Sequence, residues 1–133
     1  MSPLGVPCTK PPWGNLTAID LNTGDHIWQI PLGTSKDLAP FPFWWIKGAP
    51  NIGGPTVTAS GLTFIAATSD FYLRAFNTQT GEELAKFRLP TGGHATPMTY
   101  KTKNGRQIVV IAAGGHWAVG SPASDHLIAF ALP

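Results

Sequence analysis

The sequence has little of what most often identifies a self-contained function. Cysteine occurs once in 133 residues, at Cys8, so neither a disulfide nor a multi-cysteine metal site can form within one chain. Charged residues make up 12%, against about a quarter in typical domains, and a net charge of +2 provides no basic surface for nucleic acid. No apolar run approaches bilayer length, and no export signal follows Met1. We therefore expect no membrane span, no signal and no nucleic-acid partner from these residues.

Glycine and proline, in contrast, are frequent, with 15 and 13 copies. No long stretch has helical periodicity, so the frequent glycines and prolines favour many short strands joined by tight turns. Hydrophobic residues make up 43% of the chain, enough for a packed core rather than a disordered segment. The composition predicts an all-β protein.

A seven-residue turn sequence occurs twice. Residues 18–24 read AIDLNTG and residues 75–81 read AFNTQTG, and the two align without a gap, 57 positions apart. In each copy an Asp or Asn that can cap a turn precedes a Thr-Gly pair, whose glycine can take a positive φ. A repeat of this size is close to one four-stranded β-propeller blade, a unit that buries its faces only against its neighbours.

The remaining turns divide the chain into five parts. They are an extended proline-rich entry segment (1–15), the last two strands of one blade (16–30), a long loop (31–54), a complete four-stranded blade (55–89) and an incomplete three-stranded blade (95–131). In the last part we expect a first strand over 95–100 and a type I′ hairpin turn at Asn104-Gly105. About two blades cannot close a ring. The sequence therefore predicts a partial β-propeller cut from a larger one.

The long loop 31–54 carries Phe41, Phe43, Trp44 and Trp45 among prolines. A loop of this length is usually functional or docked on another surface. One interpretation is a plug that covers an otherwise open apolar surface, which we favour; the other is an aromatic wall for a ligand or a partner. Trp28, just past the first repeated turn, is expected to pack as a wedge between neighbouring sheets.

An ordered set of short motifs gives the chain a specific resemblance. These motifs are Gly53-Gly54-Pro55, Thr68-Ser69-Asp70, Tyr72-Leu73-Arg74-Ala75, Ala95-Thr96-Pro97-Met98 and Gly114-Gly115-His116. With them the chain resembles, over nearly its whole length, the C-terminal part of the membrane-bound pyrroloquinoline-quinone (PQQ)-dependent dehydrogenases, the group of the quinoprotein glucose and quinate/shikimate dehydrogenases.

The resemblance implies a place in an eight-bladed propeller whose central funnel holds PQQ with a divalent cation, calcium or magnesium. It implies a parent enzyme that oxidises a sugar or polyol hydroxyl and passes electrons to ubiquinone, anchored in the inner membrane with its propeller in the periplasm. In the family the cofactor floor, the metal carboxylates and the catalytic base belong to earlier blades. We therefore assign no metal ligand and no catalytic residue to this segment, and we expect it to bind no cofactor and to be inactive alone.

One position departs from the family pattern. The family's blade motif has a docking tryptophan ten residues after the alanine of the repeated turn, and the first copy has Trp28 there, whereas the second has Ala85. Phe87 lies close enough in sequence to fill part of that space. The departure affects one wedge between blades and leaves the resemblance to the family unchanged.

Four residues are candidates for contact with substrate or cofactor through the resemblance. His116 follows two glycines that let the backbone approach a ligand, and its imidazole can exchange a proton or a hydrogen bond with a sugar hydroxyl. Asp70 can orient a cationic partner or a hydroxyl at the funnel mouth. His94 and Trp117 are weaker candidates on the same side. The alternatives are structural, since Ser-Asp is a common turn former and an isolated histidine often satisfies a loop carbonyl.

Three classes of function remain open from the sequence. The first is a segment of the dehydrogenase, whose partners are the remaining blades, the polyol and ubiquinone. The second is a stand-alone blade module that recruits another chain through its strand edges and aromatic loop, and the third is a structural repeat without a ligand. In each case unpaired strand edges predict self-association of the isolated segment.

Overall fold

The computed structural model describes residues 7–131, and within this range the chain forms nine strands, two short 3₁₀ turns and no α-helix. The strands are β1 Asn15–Ile19, β2 His26–Pro31, β3 Thr56–Val57, β4 Leu62–Ile65, β5 Tyr72–Asn77, β6 Glu83–Arg88, β7 Met98–Lys101, β8 Gln107–Ala113 and β9 His126–Ala131. They form antiparallel sheets of two, four and three strands in chain order. The all-β class is confirmed. The described residues include no helix long and apolar enough to cross a membrane.

The two copies of the repeated turn have the same geometry. In each, the glycine amide donates to the carbonyl of the residue that opens the turn, from Gly24 to Asp20 over 2.7 Å and from Gly81 to Asn77 over 2.9 Å. The side chains of Asp20 and Asn77 also accept hydrogen bonds from backbone amides inside the turn. Both glycines have positive φ, +80° and +73°. The predicted capping is confirmed, because side-chain oxygens at this position satisfy amides that the tight turn leaves free.

Trp28 packs between the first and second sheets. Its Nε1 donates to the Thr78 carbonyl over 3.0 Å, and a Cβ added at Gly81 would lie 2.8 Å from the indole ring. The indole covers a buried apolar cluster made of Leu16, Leu32, Ile65, Ala67 and Phe76. The expectation of a wedge at this position is confirmed.

The second sheet also packs against the third sheet, through its other face. This cluster contains Ala66, Leu73, Leu89, Val109, Ile111 and Ala113. Phe87 contacts Phe130 here, with ring centroids 4.9 Å apart. The inner strands β4 and β5 of the central sheet are therefore largely buried, whereas β6, both strands of the first sheet and the outer strands of the third keep many exposed positions.

The first hairpin of the third sheet differs from the expectation. The strand begins at Met98 rather than Ala95, after Pro97, which has no amide to donate to a sheet. Asn104 is not among the residues with positive φ, so its turn is not type I′, which requires positive φ at both central residues. Instead the Gly105 amide donates to the Thr102 carbonyl and Gly105 alone takes the left-handed conformation. This is a type I turn followed by a glycine bulge.

The long loop between β2 and β3 is docked but does not act as a plug among the described residues. Its buried hydrophobic members are Leu32, at the start of the loop, and the small residues Ala39 and Ala49. Phe41 and Trp45 are 75% and 73% exposed, and Phe41 meets Trp44 edge to face at 5.3 Å. The plug interpretation is therefore wrong for this segment, because the aromatic rings face outward.

Candidate functional site

Two glycine-rich loops that follow β6 and β8 meet at one side of the molecule. The Gly115 amide donates to the Gly92 carbonyl over 3.0 Å. Gly115 has φ of +68°, and a Cβ there would lie 1.8 Å from the Pro122 carbonyl oxygen, so only glycine fits. This contact brings His94, His116 and Trp117 together, and we call the three residues the His–Trp cluster.

His94 is fixed from both sides of its ring. Its Nδ1 lies 3.3 Å from the Ile52 carbonyl and its Nε2 lies 2.8 Å from the Ser121 hydroxyl. Burial lowers the pKa of His94, and the hydrogen bond to the Ile52 carbonyl only partly opposes this. The imidazole is therefore neutral near pH 7, with Nδ1 donating to the carbonyl and Nε2 accepting from Ser121.

His116 is more open. Its Nδ1 accepts a hydrogen bond from the Ala118 amide over 3.2 Å. Its ring stacks on Trp117 at 6.0 Å with an interplanar angle of 18°, and lies 6.2 Å from the His94 ring. Nε2 has no hydrogen-bond partner in residues 7–131. Since Nδ1 accepts, a neutral His116 carries its proton on Nε2 and can donate it to a ligand oxygen.

Trp117 gives the cluster a flat exposed surface. The indole begins a 3₁₀ turn, Trp117–Val119, and is 88% exposed. An aromatic face in this position can stack against a planar ring or the apolar face of a sugar.

Asp70 lies in a different setting from the His–Trp cluster, because it is fully buried. One oxygen accepts from the Thr34 amide over 2.8 Å, the other from the Thr68 hydroxyl over 2.6 Å, and the Arg74 guanidinium bridges both. Burial by itself raises the pKa of Asp70, but the hydrogen bonds and charge of Arg74, assisted by Thr68 and Thr34, outweigh it and hold the pKa below its ordinary value. Both oxygens of the carboxylate are thus engaged inside the fold.

The loop that carries Asp70 still borders the cluster through the backbone. The Ala67 amide donates to the Gly93 carbonyl over 2.9 Å, and the Ile52 amide donates to the Ala67 carbonyl over 2.8 Å. The structure therefore brings three of the four sequence candidates together. The fourth, Asp70, is connected to them through the backbone hydrogen bond between Ala67, in its own loop, and Gly93, next to His94.

Sequence reasoning missed Arg74 and Ser121. Arg74 is four residues after Asp70, a spacing that brings side chains together on a helix but not on a strand. The contact forms because Phe71 takes a positive φ of 54° and turns the chain between them. Ser121 lacks even such a spacing signal, since its partner His94 is 27 positions away. In addition, the Ser69 hydroxyl is buried without a hydrogen-bond partner among the described residues.

Comparison with known proteins decides the family. A family model described as "Glucose/ethanol/alcohol dehydrogenase, beta-propeller domain", of the PQQ class, matches residues 1–109. The chain belongs to the PQQ-dependent dehydrogenases. It is 49% identical to the quinoprotein glucose dehydrogenase of Escherichia coli (strain K12), over 100% of this chain and 17% of the relative. It is 52% identical to the quinate/shikimate dehydrogenase (quinone) of Acinetobacter baylyi, over 99% of this chain and 17% of that relative.

Solved structures of PQQ-dependent dehydrogenases have the same fold. The quinohemoprotein alcohol dehydrogenase of Comamonas testosteroni superposes with a TM-score of 0.59 at 31% identity, over 81% of this chain and 13% of that chain. This confirms the partial β-propeller. The chain thus spans about a sixth of the length of the curated dehydrogenases that it matches.

Proposed function

We propose that this segment belongs to a PQQ-dependent enzyme that oxidises a hydroxyl group of a sugar or polyol of the glucose, quinate or shikimate class and passes the electrons to ubiquinone. Support comes from identity of about one half with dehydrogenases whose names specify glucose and quinate or shikimate. The parent is an inner-membrane protein with its propeller in the periplasm. The single observation that carries a role for this segment is the open Nε2 of His116 beside an exposed indole.

The His–Trp cluster fits one wall of a PQQ and substrate site. The exposed indole of Trp117, on which the His116 ring stacks, offers a flat face suited to a planar cofactor or a sugar face. When bound, PQQ accepts the hydride from the carbon that bears the hydroxyl group. Residues 7–131 contain no group of three or more His, Cys, Asp or Glu side chains placed to hold a metal ion. The proposal assigns calcium or magnesium to other blades of the parent, as the family resemblance implies.

His116 binds the substrate through Nε2. The Ala118 amide occupies Nδ1 and thereby fixes the tautomer that places a donor on the open nitrogen. Donation to the reacting hydroxyl or its neighbour orients the sugar, while the base that removes the hydroxyl proton is provided by the rest of the parent. His94 supports this arrangement, because its two hydrogen bonds connect the loop at Ile52 to the loop at Ser121.

Asp70 acts on the site indirectly. It holds Arg74 and the Thr34 amide in the interior, and its loop contacts Gly93 next to His94 through the backbone. We therefore assign Asp70 a positioning role at the funnel mouth rather than contact with the substrate.

Replacement of His116 in the intact parent tests the proposal. We expect His116→Ala to lower kcat/KM for the accepted polyol by about tenfold, the effect of losing one hydrogen bond to the substrate. The unfolding midpoint should not change, since only one local hydrogen bond is lost within the fold. His126→Ala, at an exposed histidine on β9, is the matched control and should retain full turnover.

Unchanged kinetics of His116→Ala with every accepted polyol would contradict the assignment. The 133-residue segment alone, given PQQ and calcium, should not reduce a dye with any of these polyols. Turnover by the segment would show that the cofactor floor does not depend on the other blades.

A stand-alone interaction module is the second candidate. The exposed aromatic rings of Phe41, Trp44 and Trp45 favour it, because a contiguous exposed aromatic surface is typical of a contact site. A gene that encodes no further blades adjoining this segment would favour the module over the enzyme.

A further inference from the structure

A cleft of about 450 Å³ separates the first and second sheets. Its volume is in the range of small-molecule sites. The end of β2 and the loop at Gly33 and Lys47 form one wall, and β5 and β6 form the other, with Arg74 and Lys86. None of the cleft residues belongs to the His–Trp cluster, so this is a separate feature of the molecule.

The positively charged side chains of the cleft differ in burial and in ion pairing. Arg74 is buried, and its guanidinium is already paired with Asp70 and, at 3.1 Å, with Glu83. Lys47 and Lys86 are exposed, and within residues 7–131 neither amine has an ion-pair partner. The positive charges of Arg74, Lys47 and Lys86 exceed the negative charges of Asp70 and Glu83 by one. The amines of Lys47 and Lys86 can rearrange around a ligand, because they are unpaired within residues 7–131.

More positive charge surrounds Tyr72, beside the cleft. Four cationic groups lie within 5.8 Å of its ring centroid, namely Lys36, Arg74, Lys86 and Arg88. Asp37 pairs with Arg88, but Lys36 has only the Tyr72 hydroxyl as a hydrogen-bond partner in the described range. Like charges this close repel each other, so an anion at the mouth of the cleft would be stabilised.

We propose that the cleft is a binding site for a small organic polyanion, a compound with at least two carboxylate or phosphate groups. Lys47 reaches the ligand from the loop wall and Lys86 from β6, while Ile30 and Pro31 offer apolar contact to its carbon skeleton. Because the two amines are on opposite walls, one bound anion connects the loop that follows the first sheet to the second sheet. The proposal goes beyond the dehydrogenase activity and does not depend on it.

Titration of the intact parent with succinate, a dicarboxylate that chelates calcium and magnesium only weakly, and separately with inorganic phosphate, tests the site by calorimetry at constant ionic strength. We expect succinate to bind and to raise the unfolding temperature, since a ligand specific for the folded state stabilises it. Lys47→Gln and Lys86→Gln should each weaken binding several-fold, and the double variant at least tenfold. Lys86→Arg keeps the charge and should restore most of the affinity.

Lys103→Gln, in the hairpin turn of the third sheet, removes the same charge outside the lining of the cleft and should bind succinate like the unmodified protein. Absence of succinate and phosphate binding to the unmodified protein would overturn the proposal. So would equal weakening by Lys103→Gln and Lys86→Gln, because binding would then depend on net charge alone. Binding of phosphate as well as succinate, with loss in the double variant, supports an oxyanion site; binding of succinate alone narrows the ligand to polycarboxylates.

Discussion

At the scale of single residues, the buried pair of Asp70 and Arg74 is the strongest local constraint. Asp70 is 0% exposed and Arg74 is 4% exposed, and Glu83 is the other carboxylate on the guanidinium. We expect Asp70→Asn to lower the free energy of unfolding by about 3 kcal/mol, because a buried charge loses its main partner. Urea denaturation at pH 7 measures the loss. Asp25→Asn, at an exposed carboxylate, should change stability by less than about 0.5 kcal/mol.

The same pair predicts a pH dependence. The folded state lowers the pKa of Asp70, so its contribution to stability is complete above the unfolded pKa of about 3.9 and disappears as the pH falls through the lower folded value. The stability difference between the unmodified protein and Asp70→Asn should therefore be constant from pH 7 to about pH 5 and shrink in more acidic solution. A difference that grows on acidification would contradict the assignment of Asp70 as an ionised, paired group.

At the scale of the secondary-structure element, the two repeated turns offer a matched comparison. Gly24 and Gly81 have nearly the same positive φ, but a Cβ at Gly24 meets nothing within 4 Å, whereas at Gly81 it meets the Trp28 ring at 2.8 Å. Gly24→Ala should cost about 1 kcal/mol for the left-handed conformation alone. Gly81→Ala should cost about 1–3 kcal/mol more, because the indole must move.

A double-mutant cycle isolates this contact. In a Trp28→Ala background the extra cost of Gly81→Ala should disappear, so that both glycine substitutions have the same effect on the unfolding midpoint. Persistence of the extra cost without the indole would show that the wedge does not press on this turn.

At the scale of the whole molecule, the three sheets are unequally complete. The second has four strands and packs against a neighbouring sheet on each face, while the first has two strands and the third has three. β9 ends the third sheet with Leu127 73% exposed, and no further strand in residues 7–131 pairs with its outer edge. Unpaired edges can add a strand from another chain.

We therefore expect the isolated segment to self-associate at high concentration, with a mass above that of the monomer in light scattering. Leu127→Lys should reduce association, since a charge on an edge strand opposes pairing. Leu21→Lys, at a 94% exposed position in the turn between β1 and β2, is the control and should have little effect. A segment that stays strictly monomeric at millimolar concentration would contradict this prediction.

The sequence by itself determined the two repeated turns, the strand order and the wedge. These features depend on residues a few positions apart, such as Asn77 and Gly81, or on a repeat that aligns directly, such as Ala18 with Ala75. The family resemblance, and not local chemistry, placed His94, His116 and Trp117 on one side together with Asp70. Local chemistry is visible in sequence because the partners are near neighbours.

Only the tertiary structure decided how Asp70, Ser121 and the aromatic loop are placed. Asp70 is interior because Ala67 and Phe71, two residues other than glycine, take positive φ and fold the loop inward, a conformation that their side chains do not indicate. The Ser121 contact with His94 joins loops 27 positions apart. Burial of a charge and exposure of aromatic rings depend on what packs against them from distant parts of the chain, and such long-range packing has no local signature.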